Sequence, residues 1–268
     1  MTDEALFRLD GDHFVPTELT RGGWSDDAQH GSPPSGLLAR AVELVETSAP
    51  MQVARFTIDL FRPVPLEPLS VSVNVLRNGR RIQVVEAILS HDDVEVGRAT
   101  GLKIRTADVE LPDVDREPWE QPVGPSLAIR VEDFWSFAGD DIVRFHRNAV
   151  EIRSIGDSFL RPGPGVSWFR LRHPVVEGED PSPFVRLATV ADMSNGNSQA
   201  LDPSAYIYVN PDITLYAHRL PEGDWIGMKS AAHQHESGIG LADTRVFDEH
   251  GPIGRINQAQ LLDKRPGG

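Results

Sequence analysis

The sequence contains no cysteine. Disulfides, thiolate zinc sites, iron–sulfur clusters and cysteine nucleophiles are excluded together, and the absence fits a reducing compartment. No apolar run approaches the ~20 residues that cross a bilayer. The acidic start Met1-Thr2-Asp3-Glu4 has no apolar signal core, so an unexported, cytoplasmic protein with no membrane span is expected. Positive charge is scarce: Lys and Arg total 26 against 40 Asp and Glu, a formal net charge of −14. Without basic clusters a nucleic acid is not an expected partner, because phosphates are neutralised by Lys and Arg. No Gly-x-Ser-x-Gly elbow occurs, which disfavours a Ser-His-Asp hydrolase. Gly163-Pro164-Gly165 precedes no Lys-Ser/Thr pair and is not a phosphate loop. His233 and His235 sit two apart with no third ligand at suitable spacing. No metal and no cofactor is expected.

What is present is a chain of 268 residues, 40% hydrophobic and 25% charged. That suffices for one large domain or two small ones. The sharpest change of composition lies between Ala107 and Ser126, which holds Asp108, Glu110, Asp113, Asp115, Glu117 and Glu120 among Pro112, Pro118, Pro122 and Pro125. Such a segment buries little apolar surface and resists helix and sheet. The expected division is 1–106, an acidic Pro-rich linker at 107–126, and 127–268.

The two flanks repeat each other. Arg62 is followed 36 residues later by Gly97-Arg98, and Arg219 is followed 36 residues later by Gly254-Arg255, so the copies lie 157 residues apart. At that offset Phe56 meets Ile213, Ile58 meets Leu215, Leu69 meets Ile226 and Val96 meets Ile253. In the first copy Leu37, Leu38, Ala41, Val42 and Val45 have helical spacing, with Pro33 and Pro34 at the entry. In the second, Phe184, Leu187, Ala188 and Ala191 predict one helix closed by a left-handed cap at Asn195-Gly196. Strands follow each helix. Ala54, Phe56, Ile58 and Leu60 alternate with polar residues, as do Leu69, Val71, Val73 and Val75. Asn78-Gly79 and Asp92-Asp93 read as hairpin turns, and the apolar run Ile82–Leu89 as a central strand. Each half is thus one helix on an antiparallel sheet, an α+β layout.

This duplicated pattern resembles the double-hotdog acyl-CoA thioesterases, the TesB-like thioesterase superfamily. The resemblance is carried by Trp24–Leu38 (WSDDAQHGSPPSGLL) and Phe56–Arg81, with its FRPV and LRNG pieces. In the second half it is carried by ATVADMSN, VNPDITLYAHR and GRINQAQLL. It implies a double hotdog and hydrolysis of an acyl-CoA, the expected partner. The family's site is an acid on the second helix, a hydroxyl or amide on the next strand, and a Gln near the last strand. In this sequence these are Asp192, Asn210 and Gln258, with Asn210 standing where relatives carry Thr.

The repeat argues for the same trio. At the 157 offset Asp192, Asn210 and Gln258 fall on Ser35, Val53 and Gly101. Three polar side chains at matched positions of one copy alone point to one working site. Asp192 is the expected base or nucleophile, with Asn210 and Gln258 orienting a water. His30, Gly31 and Ser32, at the entry of the first helix, are the oxyanion and substrate-binding candidates, because free N–H groups there favour negative charge. Arg80 and Arg81 are candidates for the CoA phosphates, and Trp24, Phe134 and Trp135 for an acyl tunnel. The plainer readings stand beside these: a solvent-facing Asp192, a sheet-facing Gln258, a turn residue at Asn210-Pro211. Two other activities stay open, a non-catalytic acyl-CoA-binding protein and an enoyl-CoA hydratase, the latter without its GDxNPxH-like run. Sheet edges or faces could also pair two copies into a homo-oligomer.

Overall fold

The computed structural model describes residues 4–112, 118–131, 142–158, 162–202 and 204–265. Phe134 and Trp135 lie outside the described residues. The chain forms β1 (Phe7–Asp10), β2 (His13–Pro16), α1 (Ser32–Leu44), β3 (Met51–Leu60), β4 (Ser70–Asn78), β5 (Ile82–His91) and β6 (Val94–Arg105). Then come β7 (Ile129–Arg130), β8 (Val150–Ile155), β9 (Gly165–Leu171), α2 (Pro183–Val190), α3 (Met193–Asn197), β10 (Tyr206–Val209), β11 (Asp212–Ala217), β12 (Ile226–Gln234), β13 (Ile239–Asp248) and β14 (Gly251–Lys264).

One 12-stranded sheet runs in the order β4-β5-β6-β3-β11-β14-β13-β12-β9-β8-β7, with β10 also on β14. The halves join where β3 pairs antiparallel with β11, in the register Ile58↔Ile213, Thr57↔Thr214 and Phe56↔Leu215. Thr57 and Thr214 are themselves 157 residues apart, and their hydroxyls lie 3.4 Å apart. A residue paired with its own repeat-mate marks a pseudo-twofold axis, so the sequence repeat is the symmetry of the fold. Shifted by 157, β5 falls on 239–248, the bounds of β13. The inner faces of these strands and the helices share one core that includes Leu37, Val42, Phe56, Ile58, Phe184, Leu187, Ile213 and Ile256.

The helices do not keep the strand offset. The helices begin at Ser32 and Pro183, 151 apart, and the Ser-Pro pairs at their entries, Ser32-Pro33 and Ser182-Pro183, lie 150 apart. At this offset the counterpart of Asp192 is Val42, not Ser35. The geometry agrees: a Cβ added to Gly101 would stand 2.3 Å from Val42 Cγ1, and Gly101 is the counterpart of Gln258. The pair Asp192–Gln258 in one half is therefore Val42–Gly101 in the other. Ser35 instead ties the two helices, its hydroxyl donating to Ala188 O at 2.7 Å.

Three further expectations are corrected. The second half holds two helices rather than one. Around Ala191 and Asp192 the backbone stays right-handed but tightens to i→i−3 bonds, with Ser194 N–H on Ala191 O and Asn195 N–H on Asp192 O. Asn195-Gly196 is no left-handed cap, because Asn195 is buried inside α3. Both first-half hairpins turn where the sequence puts them: β4 and β5 pair up to Asn78↔Gln83, with the Gly79 N–H on Ile82 O, and β5 and β6 turn at Asp92 (φ 47°) and Asp93 (φ 61°). β5 is one strand from the sheet edge, and its burial alternates with the pleat.

Candidate active site

Asp192 stands at the joint of α2 and α3, 7% exposed. The break in the hydrogen-bond ladder turns its side chain toward the other half instead of along the helix. Its Oδ1 accepts Asn210 Nδ2 at 2.7 Å and Gln258 Nε2 at 3.4 Å. Its Oδ2 lies 2.8 Å from His30 Nδ1, and the Gly31 backbone N–H donates to the same carboxylate. Asn210 comes from the kink between β10 and β11, where Pro211 interrupts the strand. Gln258 comes from β14, opposite Ala242 of β13. His30 and Gly31 come from the entry of α1. The structure thus brings Asp192, Asn210, Gln258, His30 and Gly31 together from both halves of the chain.

Ser32 is the exception. Its hydroxyl is buried without a hydrogen-bond partner, while its N–H lies 3.2 Å from His30 Nδ1. That nitrogen cannot both accept from Ser32 and donate to Asp192. The carboxylate is the stronger acceptor, so the proton sits on Nδ1 toward Asp192, and the Ser32 N–H keeps its capacity to donate. Burial alone pushes the Asp192 carboxyl up. The charge of His30, its hydrogen bond, and those from Asn210 and the Gly31 N–H outweigh it and hold the carboxyl below the ordinary aspartate value.

A pocket opens onto this carboxylate. Its wall includes Trp24, His30, Arg144, Asp192, Tyr208, Asn210 and Arg265. Gln258 is fully buried and stands behind the wall. Trp24 meets Tyr208 edge-on at 5.3 Å, and the Arg265 guanidinium lies 5.4 Å from the Trp24 ring. Arg144 donates to Gly22 O and to Asp26. The Tyr208 hydroxyl is buried without a partner, and desolvation raises its pKa, so it is a neutral donor. Arg80 and Arg81 are not among the pocket residues. Among the described residues no cluster of three or more His, Asp or Glu could hold a metal, and no helix is long and apolar enough to cross a membrane.

The sequence reading missed Arg144, Tyr208 and Arg265, which lie in segments where no motif or period flags them. It also missed Ser194 and Asn195. The signal for these two was present: a Ser194–Asn197 run of poor helix formers one residue beyond the acid.

One helix layer per half against a shared antiparallel sheet, related by a pseudo-twofold axis, is the double-hotdog fold. The sequence profile of the acyl-CoA thioesterase C-terminal domain matches residues 113–262, and that of the N-terminal domain matches residues 20–104. The chain belongs to the acyl-CoA thioesterase family. Among solved structures it is similar to the acyl-CoA thioesterase II TesB2 of Mycobacterium marinum, with a TM-score of 0.68 at 16% identity over 100% of this chain and 99% of that one. It is also similar to a hot dog protein of unknown function from Alicyclobacillus acidocaldarius, with a TM-score of 0.70 at 14% identity over 97% and 96%. A third is the tesB protein of Mycobacterium avium subs paratuberculosis, with a TM-score of 0.64 at 16% identity over 97% and 95%. At these identities the likeness is one of fold. No curated protein sequence matches the chain.

Proposed function

We propose that the chain hydrolyses acyl-CoA thioesters at the Asp192 pocket. The observation that carries this reading is the convergence of Asp192, Asn210, Gln258, His30 and Gly31 on one carboxylate beside an open pocket. Asn210, on the pocket wall, orients a water whose proton passes to Asp192 as its oxygen adds to the thioester carbonyl, while Gln258 holds the carboxylate from behind. The oxyanion forms near the entry of α1, where the N–H of Ser32 and the helix dipole meet negative charge. Collapse breaks the C–S bond, and the proton held by Asp192 returns to the departing thiolate, giving free acid and CoA. His30 holds the carboxylate in place and ionised.

The mouth of the pocket fits the leaving group. In a chain of net charge −14, Arg144 and Arg265 bring two guanidiniums to its wall and suit the CoA phosphates. The Tyr208 hydroxyl offers a donor for a pantetheine amide oxygen. The test is thiol release from a panel of acyl-CoAs. Wild type is expected to turn over at least one, and Asp192→Ala to lose about 10³-fold or more in kcat. Arg265→Ala is expected to raise KM for acyl-CoA several-fold and to leave KM for the matching acyl-pantetheine unchanged. Binding of acyl-CoA without thiol release would favour a non-catalytic acyl-CoA-binding protein instead.

A further inference from the structure

Asn210 poses a problem that a hydroxyl at the same place would not. A hydroxyl rotates to suit its neighbour, whereas a side-chain amide has a donor end and an acceptor end. Turned the wrong way, its oxygen would face the Asp192 carboxylate, acceptor against anion. Gln258 has the same ambiguity. In the structure both amides present their NH2 ends to Asp192 Oδ1, and each has a donor fixed on its oxygen. The Ser194 hydroxyl donates to Gln258 Oε1 at 2.6 Å. Asn195 Nδ2 donates to Asn210 Oδ1 at 3.0 Å and to Tyr208 O at 3.0 Å. Asn195 is fixed in turn by Gln260, whose Nε2 donates to Asn195 Oδ1 at 2.7 Å. Gln260 Oε1 accepts from Gln234 Nε2 at 3.2 Å.

Ser194 and Gln258 have no exposed surface, Asn195 is 5% exposed and Gln260 3%. Water has little access to replace these bonds, so a reversed amide would strand buried groups. The two donors are consecutive residues in the first turn of α3, directly after Asp192. A single turn therefore carries the acid and the fixings of both amides that serve it.

We propose that Ser194 and Asn195 are positioning residues of this site: by holding the oxygens of Gln258 and Asn210 they turn both NH2 groups onto Asp192. Neither touches the reacting atoms. They set the polarity of the amides, and through it the charge state of the acid and the orientation of the water. The remaining groups that face Asp192 are His30 and the Gly31 N–H, with Arg144, His146 and Arg265 on the same pocket wall.

The experiment uses the full chain with Ser194→Ala, Ser194→Thr and Asn195→Leu, the last isosteric and uncharged. The Asp192 carboxyl is titrated by carbon NMR, and thiol release is measured beside it. Ser194→Ala is expected to raise the Asp192 titration by about one unit and to lower kcat about tenfold with KM within twofold. Ser194→Thr keeps the hydroxyl and is expected to restore both. Asn195→Leu is expected to act as Ser194→Ala does, and Ser194→Ala keeps the test decisive if the Leu variant fails to fold. In a Gln258→Met background, Ser194→Ala is expected to change neither readout further. A Ser194→Ala protein that titrates and turns over as wild type overturns the proposal, as does an equal loss in the Gln258→Met background. The kinetic arm rests on the hydrolase reading and the NMR arm does not. A wild type without thioesterase activity would sink that reading and leave this one to be decided by the titration.

Discussion

Gly31 carries no side chain because the Asp192 carboxylate occupies that space: an added Cβ would lie 2.8 Å from Oδ2 and 3.0 Å from Cγ. Its φ of −64° is one any residue adopts, so the requirement is one of contact and not of backbone conformation. Gly31→Ala is therefore expected to fold with little change in thermal midpoint while displacing the acid. A shift of about 1 Å at a reacting group costs on the order of 10²-fold in rate. Steady-state kinetics beside a melting curve would check this, and a full-rate Gly31→Ala enzyme would count against it. The pH dependence follows from the same contacts. The folded-state pKa of Asp192 lies below the ordinary 3.8, so its bonds stabilise the fold above that value. The contribution is lost as pH falls through the lower, folded value. Asn210→Ala removes one of the donors. The acid limb of kcat is then expected to move upward in pH, and a limb that stays in place would show that Asn210 does not support the anion.

At the scale of elements, the two halves put the same positions to different use. Where β14 sends Gln258 toward Asp192, β6 has Gly101, and α1 lays Val42 against it. The first half closes with a methyl contact the cleft that the second half keeps polar. Gly101→Ala would drive a Cβ to 2.3 Å from Val42 Cγ1. Val42 is β-branched and stiff in a helix, so overpacking of about 1–3 kcal/mol is expected, read as a lower urea midpoint. Val42→Ala in the same chain removes the clashing methyl and is expected to recover most of that loss. Two substitutions that simply added their losses would contradict the contact. The elements also show where sequence reading reaches its limit. Period-two alternation placed β3 because that strand has one buried face, and the apolar run Ile82–Leu89 placed β5. The broken second helix was not visible, because its apolar stripe runs on through Ala191 while the change is in hydrogen bonding alone. The Asn78-Gly79 hairpin turns where the sequence puts it, but without a left-handed residue, because glycine permits that conformation without requiring it.

Across the whole molecule the halves are joined by a strand pairing and a helix packing, not by the covalent connection alone. β3 and β11 share a five-residue register, and Ser35 and Gly36 of α1 meet Ala188 and Thr189 of α2. Cleavage within 107–126 by limited proteolysis is therefore expected to leave the fragments co-eluting on native gel filtration and separating only in denaturant. Fragments that part without denaturant would show that the connection holds the halves together.

The sequence by itself determined the duplication and the α+β layout, and it singled out Asp192, Asn210 and Gln258, which the structure brings together. Repeat spacing, alternation and residue chemistry are carried along the chain and survive without coordinates. Only the tertiary structure decided that Val42 and not Ser35 answers to Asp192, and that His30 closes on it from the other half. It also decided that Ser194 and Asn195 donate to the oxygens of Gln258 and Asn210. These depend on how two helices cross and on which end of a side chain meets a donor, and neither is a property of local sequence.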